Sequence, residues 1–139
     1  MTNDLVSGVV AYLLTLPSIT STIAGGTSIQ PIPTPVEASL LPAIVYQVVS
    51  DHDEMTLTGS SGVAHARILY SCHATYGPGS YGVAHSLGLA IKAALNGYQG
   101  FLPSGPQVFF ADVVNVTDLY QPDALLSTTN VSVLIDYQS

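Results

Sequence analysis

Apolar residues near the start of the chain recur at the spacing of an α-helix, which predicts a first helix with one buried stripe. The stripe consists of Val6, Val9, Val10 and Leu13. Pro17 ends this helix because proline interrupts the hydrogen-bond ladder, and residues 18–24 have room for one further turn. Residues 25–42 contain four prolines, so we predict a loop there, with room for a short edge strand at 28–32.

Four later segments have the pattern of β-strands, and two of them alternate clearly. The segments are 43–50, 64–74, 107–116 and 130–137. The second places Ala66, Ile68, Tyr70 and Cys72 on one face, and His65, Arg67, Ser71 and His73 on the other. The last directs Val131, Val133, Ile135 and Tyr137 inward, and Ser132 and Asp136 outward. The polar stretch 51–62 is predicted to protrude as a connecting loop.

A second helix is predicted from Ser80 to about Leu95, with Gly97 as its left-handed stop. Its core stripe consists of Val83, Ala84, Leu87, Ile91 and Ala94. Gly88 lies within this helix, where glycine costs about 1 kcal/mol relative to alanine. We therefore expect another element to pack closely against the helix at that position.

The elements follow one another in the order α-β-β-α-β-β, which predicts a fold of the α+β class. We expect a single domain over residues 1–139, because the chain length is typical of one domain. Its sheet is predicted to be mainly antiparallel and four-stranded, with two helices packed on one face and the other face free.

The composition favours a surface that other proteins cover. Hydrophobic residues make up 47% of the chain and charged residues only 8%, whereas globular domains carry about 25% charged residues. Arg67 and Lys92 are the only basic residues against nine acids. Tight binding of nucleic acid needs clustered lysine and arginine, so the net charge of −7 argues against it.

The sequence predicts no membrane span and gives no sign of disulfide bonding. The apolar segment 5–16 is shorter than the roughly 20 residues that a spanning helix needs. It also lacks the preceding basic residues that are typical of a signal peptide. Cys72 is the only cysteine, and we expect it to be buried and inert on the apolar face of its strand.

Residues 77–82 match the pattern G-x-G-x-x-G of dinucleotide-binding loops. Pro78 removes a backbone N–H where a phosphate needs donors, and the expected acidic residue about 20 positions later is missing. We therefore interpret the segment as a turn and predict no cofactor.

Four histidines raise the question of a metal site. His65 and His73 share a strand face but lie about 27 Å apart along an extended chain, so they cannot bind one ion. His52 lies among Asp51, Asp53 and Glu54, without the spacing of a zinc or calcium site. Since no nucleophile elbow or helical carboxylate pair is present either, we predict no metal, no catalytic residue and no enzyme.

Three stretches in order along the chain carry a resemblance to a known family. They are Pro42-Ala43-Ile44-Val45-Tyr46, then Leu57-Thr58-Gly59 with 66–74 and the helix 81–95, then Asp118-Leu119-Tyr120-Gln121-Pro122-Asp123. In order and spacing the chain resembles the tail-completion, or tail-terminator, proteins of long-tailed bacteriophages over nearly its whole length.

This resemblance implies a structural protein of the virion neck or tail that is assembled in the host cytoplasm. Such a subunit forms a ring, usually hexameric, that caps the tail tube and joins it to the head connector or stopper protein. DNA passes through the lumen without being held, which an acidic lumen favours by repelling phosphate. Because only two residues are basic, we expect ring contacts built on hydrogen bonds and apolar contacts more than on salt bridges.

Five surface residues are our candidates for assembly contacts. They are Asp51, Asp53, Glu54, Asp118 and Tyr120. Two alternatives stay open on the sequence alone. One is another neck or tail component, such as a head-closure or tail-tube protein. The other is a small-ligand binding module or enzyme, which would need a deep pocket with convergent polar groups.

Overall fold

The helices and strands of the protein are defined by a computed structural model that describes residues 2–23, 29–31, 42–75, 80–103, 105–121 and 126–138. Within these ranges the helices are α1 (Thr2–Leu13), α2 (Pro17–Thr20) and α3 (Ser80–Leu95). The strands there are β1 (Ile29–Pro31), β2 (Ala43–Thr56), β3 (Gly59–Thr75), β4 (Gly100–Phe101), β5 (Gln107–Gln121) and β6 (Leu126–Gln138).

The described strands form one sheet in the order β1-β2-β3-β6-β5-β4. β1 pairs with β2 in parallel, and all the other neighbours are antiparallel. The antiparallel part is curled into a half-barrel. β2–β3 and β5–β6 are sequence-adjacent pairs, and β3 and β6 join the two pairs at the centre of the sheet.

The prediction of a four-stranded sheet in the order α-β-β-α-β-β is wrong. The described part of the chain adds the short helix α2 and the short strands β1 and β4, and its antiparallel sheet has five strands. β1 and β4 contain three and two residues, too few to show any periodicity in the sequence. The helical turn after Pro17 and the edge strand near 28–32, both allowed for in the sequence, are present.

The stretch 51–62 is not a loop, because β2 and β3 continue through it as paired strands. Only Leu57 and Thr58 form the turn between them. The sequence pattern did not indicate strands here because the side chains are mostly polar. Backbone hydrogen bonds hold the pair together, and no apolar face is buried. Most of the predicted loop 25–42 and the predicted turn 76–79 lie outside the described residues.

Alternation in β3 and β6 gives the sheet two different faces, as predicted. Ala66, Ile68, Tyr70 and Cys72 are buried in β3, and Val131, Val133, Ile135 and Tyr137 are buried in β6. We call the face that carries them the inner face. The outer face carries His65, Arg67, Ser71 and His73 of β3, and Ser132 and Asp136 of β6.

α3 lies on the inner face and packs against β3, β5 and β6. Its buried residues are Ala84, Leu87, Gly88, Ile91 and Leu95. A Cβ atom added at Gly88 would lie 2.5 Å from Cγ2 of Thr129, which confirms the close packing expected there. Gly97 follows the helix with φ 78°, the left-handed conformation predicted for its stop.

α1 contributes to the same core from its position beside α3. Leu5, Val9 and Leu13 are completely buried, which extends the predicted stripe by one residue. The Tyr12 hydroxyl donates a hydrogen bond of 3.4 Å to the carbonyl of Ala94, and the Tyr12 ring lies 4.8 Å from that of Tyr98. Helix and sheet thus share one apolar core on the inner face.

We expect Gly88→Ala to lower the free energy of unfolding by about 1–3 kcal/mol, the usual cost of overpacking a core. Thr129 cannot rotate away without loss, since its hydroxyl donates a 2.7 Å hydrogen bond to Asp118. Gly82→Ala is the matched control in α3, because a Cβ there would meet no described atom within 4 Å. Urea unfolding of both variants checks this, and a Gly88→Ala variant as stable as Gly82→Ala would contradict it.

Candidate assembly surfaces

The ends of β2 and β3 form a two-stranded projection, residues 51–63, which we call the arm. Its pairs include Met55 with Ser60 and Thr56 with Gly59, and at its base His52 pairs with His65 of β3. At the tip, the Thr56 hydroxyl donates to the carbonyl of Gly59 at 2.9 Å, and Gly59 adopts φ 121°. Residues 49–58 are all exposed, and the tip presents Met55 and Leu57 to solvent. The arm therefore extends beyond the helical cover of the core.

Asp51, Asp53 and Glu54, three of the predicted contact residues, lie together at this arm. The hydroxyl of buried Tyr137 donates to Asp51 at 2.8 Å, which ties β2 to β6 across β3. Glu54 approaches His65 at 3.4 Å. Asp53 is paired with Ala64 of β3, whose side chain belongs to the inner face. Two of these three carboxylates thus also fix the base of the arm.

His65 stands between two carboxylates on the outer face. Its Nδ1 donates to Asp136 at 2.5 Å, and its Nε2 lies 3.4 Å from Glu54. The hydrogen bond to Asp136 is the main cause that raises the pKa of His65, and Glu54 adds to it. His52 lies across the strand pair, with its ring 5.3 Å from that of His65. This cluster fastens the arm to the centre of the sheet more firmly when His65 is protonated.

Asp118 lies on β5, which β3 and β6 separate from the arm residues of β2. Its carboxylate accepts hydrogen bonds from Thr129 at 2.7 Å and from His85 of α3 at 3.1 Å. Asp118 thus joins β5, β6 and α3 on the inner side of the sheet. Tyr120 lies opposite Ser127, and its side chain is outside the described part of the molecule. The structure does not bring Asp118 and Tyr120 next to the arm, and their role as contacts stays a prediction.

All three phenylalanines of the chain are exposed, which the sequence did not lead us to expect. Phe101 is 73% exposed, Phe109 40% and Phe110 44%, although phenylalanine is normally buried. The register shifts between Val108 and Phe110, and Phe110 lies opposite Asp136 on the outer face. The doublet Phe109-Phe110 within a strand was the available signal, since two adjacent residues cannot both point inward without an irregularity.

The edge of β5 forms a shallow groove with α3. β4 pairs only with Gln107 and Val108, and the Asn96 side chain accepts from the backbone N–H of Val113. From Val114 to Thr117 no described strand borders the outer edge of β5. Beside it lies a groove of about 290 Å³ lined by Lys92 and by residues 113–116. The groove is shallow and combines one cationic side chain with valines.

Cys72 is completely buried, and burial raises the pKa of its thiol to about 12. Within the described ranges no group of histidine, cysteine and acidic residues could hold a metal ion. The described helices also include none that is long and apolar enough to cross a membrane.

A family model described as "Tail completion protein gp17" matches residues 7–137 of the chain. The chain belongs to this tail completion family. The resemblance seen in the sequence is therefore confirmed, and the tail completion protein is a structural component of the virion tail or neck. Family membership also indicates a non-enzymatic role and contacts with other virion components.

A solved structure has a similar fold. It is described as "Virion of native gene transfer agent (GTA) particle", and the two chains share 14% identity. The TM-score is 0.73, and the match covers 99% of this chain and 97% of the other chain. At this identity the likeness concerns the fold alone. No curated protein sequence matches the chain significantly.

We expect Asp136→Asn to lower the pKa of His65 in the tail completion protein, since Asp136 is the main cause of its elevation. A raised pKa in the folded state gives stability at pH below the unfolded value of about 6.5. That contribution is lost as pH rises through the folded pKa. The wild type should thus exceed Asp136→Asn in stability by more at about pH 6 than at about pH 8.

Histidine titration by NMR, together with thermal unfolding at both pH values, checks this prediction. Asp112→Asn is the control, because Asp112 lies on the outer face opposite Leu134 and does not contact His65 among the described side chains. An unchanged His65 pKa in Asp136→Asn would contradict the assigned cause.

We expect Cys72 to resist thiol reagents in the folded protein, because it is buried and its thiol pKa is raised to about 12. Labelling with a maleimide, followed by intact mass measurement, should show no adduct in buffer and one adduct in denaturant. Rapid labelling of the folded protein would show that the inner face opens to solvent.

Proposed function

We propose that this protein forms a closed ring at the head–tail junction, with six copies in the ring. The whole chain acts as one domain, caps the end of the tail tube and joins it to the connector or stopper protein. DNA passes through the lumen. Membership in the tail completion family supports a place in the tail or neck, and the surface of the subunit supports the finer assignment.

The observation that carries the proposal is a sparsely charged surface with large apolar side chains exposed. Besides the three phenylalanines, Val49, Leu89, Val114, Leu119 and Leu134 are exposed. Exposed apolar surface of this kind marks protein contacts. With only two basic residues per chain, contacts between subunits would rest mainly on apolar surface and hydrogen bonds, with few ion pairs.

The charge of the subunit supports the proposed lumen. A net charge of −7 per copy, with two basic residues, makes the assembled ring strongly anionic. An anionic lumen repels the phosphate backbone and leaves DNA free to slide, whereas clustered lysine and arginine would hold it. The protein acts by geometry and electrostatics, without a chemical step of its own.

We expect the purified protein to assemble into a species of about six times the 14.5 kDa chain mass, either alone or on tail tubes. A closed ring satisfies its subunit contacts, so assembly stops at a fixed size. Light scattering coupled to size exclusion measures the mass, and electron microscopy of tube mixtures shows whether the ring sits at one end.

Two outcomes would contradict the proposal. Filaments that lengthen with protein concentration would identify a tube subunit, because an open interface does not stop. A monomer that stays monomeric at high concentration and leaves tube ends bare would remove the ring altogether.

A further inference from the structure

At each of its two sides the sheet has a stretch of strand edge that no other described strand borders. β1 borders β2 only at Ile44, Val45 and Tyr46, so the arm has no described strand on that side. On the other side, no described strand borders β5 from Val114 to Thr117. Open edges bind extended segments readily, since their backbone groups are available for pairing.

The groove beside the β5 edge is lined by one cation, Lys92, together with three valines and Asn115. Lys92 lines the groove and makes no ion pair with any described residue. Leu89 lies one turn earlier on the same side of α3 and is 45% exposed. Val114, at the edge itself, is exposed as well. A segment that binds along this edge should therefore be extended and should carry both acidic and apolar side chains.

The arm has this chemistry. It carries the carboxylates of Asp53 and Glu54 on a strand that no described strand borders on one side, next to the exposed Met55 and Leu57. Glu54 also contacts His65, whereas Asp53 makes no hydrogen bond or ion pair with the described side chains. Asp53 is thus the carboxylate most available to a partner.

We propose that the arm of one copy lies along the β5 edge of the next copy. The carboxylate of Asp53 then meets Lys92, and Met55 and Leu57 cover Leu89 and Val114. This inference rests on the proposed self-assembly and names the two surfaces that meet. The arm and the β5 edge belong to opposite sides of the sheet, so the contact joins two different surfaces of neighbouring copies. Such a heterologous contact can repeat around a closed ring.

Charge decides between this pairing and its alternatives. Two arms placed side by side would bring acidic residues together, and two β5 edges would bring two lysines together. Both arrangements set like charges against each other. The other basic residue, Arg67, lies on the central strand β3 and borders neither edge. Among the described residues, Lys92 is therefore the cation that an acidic edge strand can reach.

Carbodiimide coupling of the wild-type oligomer tests the contact directly, because Lys92 is the only lysine in the chain. The reagent joins a lysine amine to a touching carboxylate as an amide, with loss of water. We expect a cross-linked dimer on a denaturing gel, in which mass spectrometry finds Lys92 joined to Asp53 or Glu54. A mixture of ¹⁴N and ¹⁵N protein identifies the link as one between copies.

Charge reversal provides the second test. Asp53→Lys and Lys92→Glu each place like charges at the contact, and we expect each to weaken self-association about tenfold or more. An equimolar mixture of the two variants should assemble, since both contacts are then attractive. The double variant should also assemble alone. Asp53→Glu and Lys92→Arg keep the charges and serve as controls that retain wild-type assembly.

The outcomes separate this inference from the proposed ring. If wild type assembles but both reversals assemble equally well, or Lys92 couples to other carboxylates, the ring stands and the arm–edge contact is wrong. If wild type never assembles, alone or on tail tubes, and yields no coupled dimer, both are wrong. Loss of assembly in the reversals with recovery in the mixture supports the contact.

Discussion

The pairing of β3 with β6 is the constraint on which the rest of the molecule depends. It runs from Val63–Gln138 to Thr75–Leu126 without a register shift, whereas the β2–β3 and β5–β6 pairs each have two shifts. Because a slip of one residue would exchange the two faces, this register fixes which side chains form the core. It also determines where α3 packs, and it places the arm and the β5 edge on opposite sides of the sheet.

Alternation and helical spacing predicted most of the core correctly. The inner faces of β3 and β6 and the stripe of α3 follow directly from apolar residues at regular intervals. Gly88 was also informative, because a glycine inside a helix indicates that another element packs closely there. The fold class was wrong in its strand count because two very short strands carry no pattern.

The role of the candidate contact residues stays a prediction, and their surroundings could be predicted only in part. The sequence pointed to Asp51, Asp53 and Glu54, but it could not supply the register that sets Asp136 against His65 or Tyr137 against Asp51. Contacts such as that of Ser71 with Asn130 join positions 59 apart in the chain. The exposed phenylalanines were missed because apolar residues are normally assigned to the core. A strand irregularity that turns such residues outward gives only a weak signal in the sequence.

The central position of β6 has a consequence for the order of folding. Each adjacent strand pair can form early from nearby residues, but joining them must wait for β6, the last of the described strands in the chain. Such long-range closure is slow compared with hairpin formation. A half-folded chain holds the arm and the β5 edge on separate, undocked pieces. Under the proposed arm–edge contact, only a completed subunit offers both surfaces at a fixed spacing, so incompletely folded copies would not join the ring.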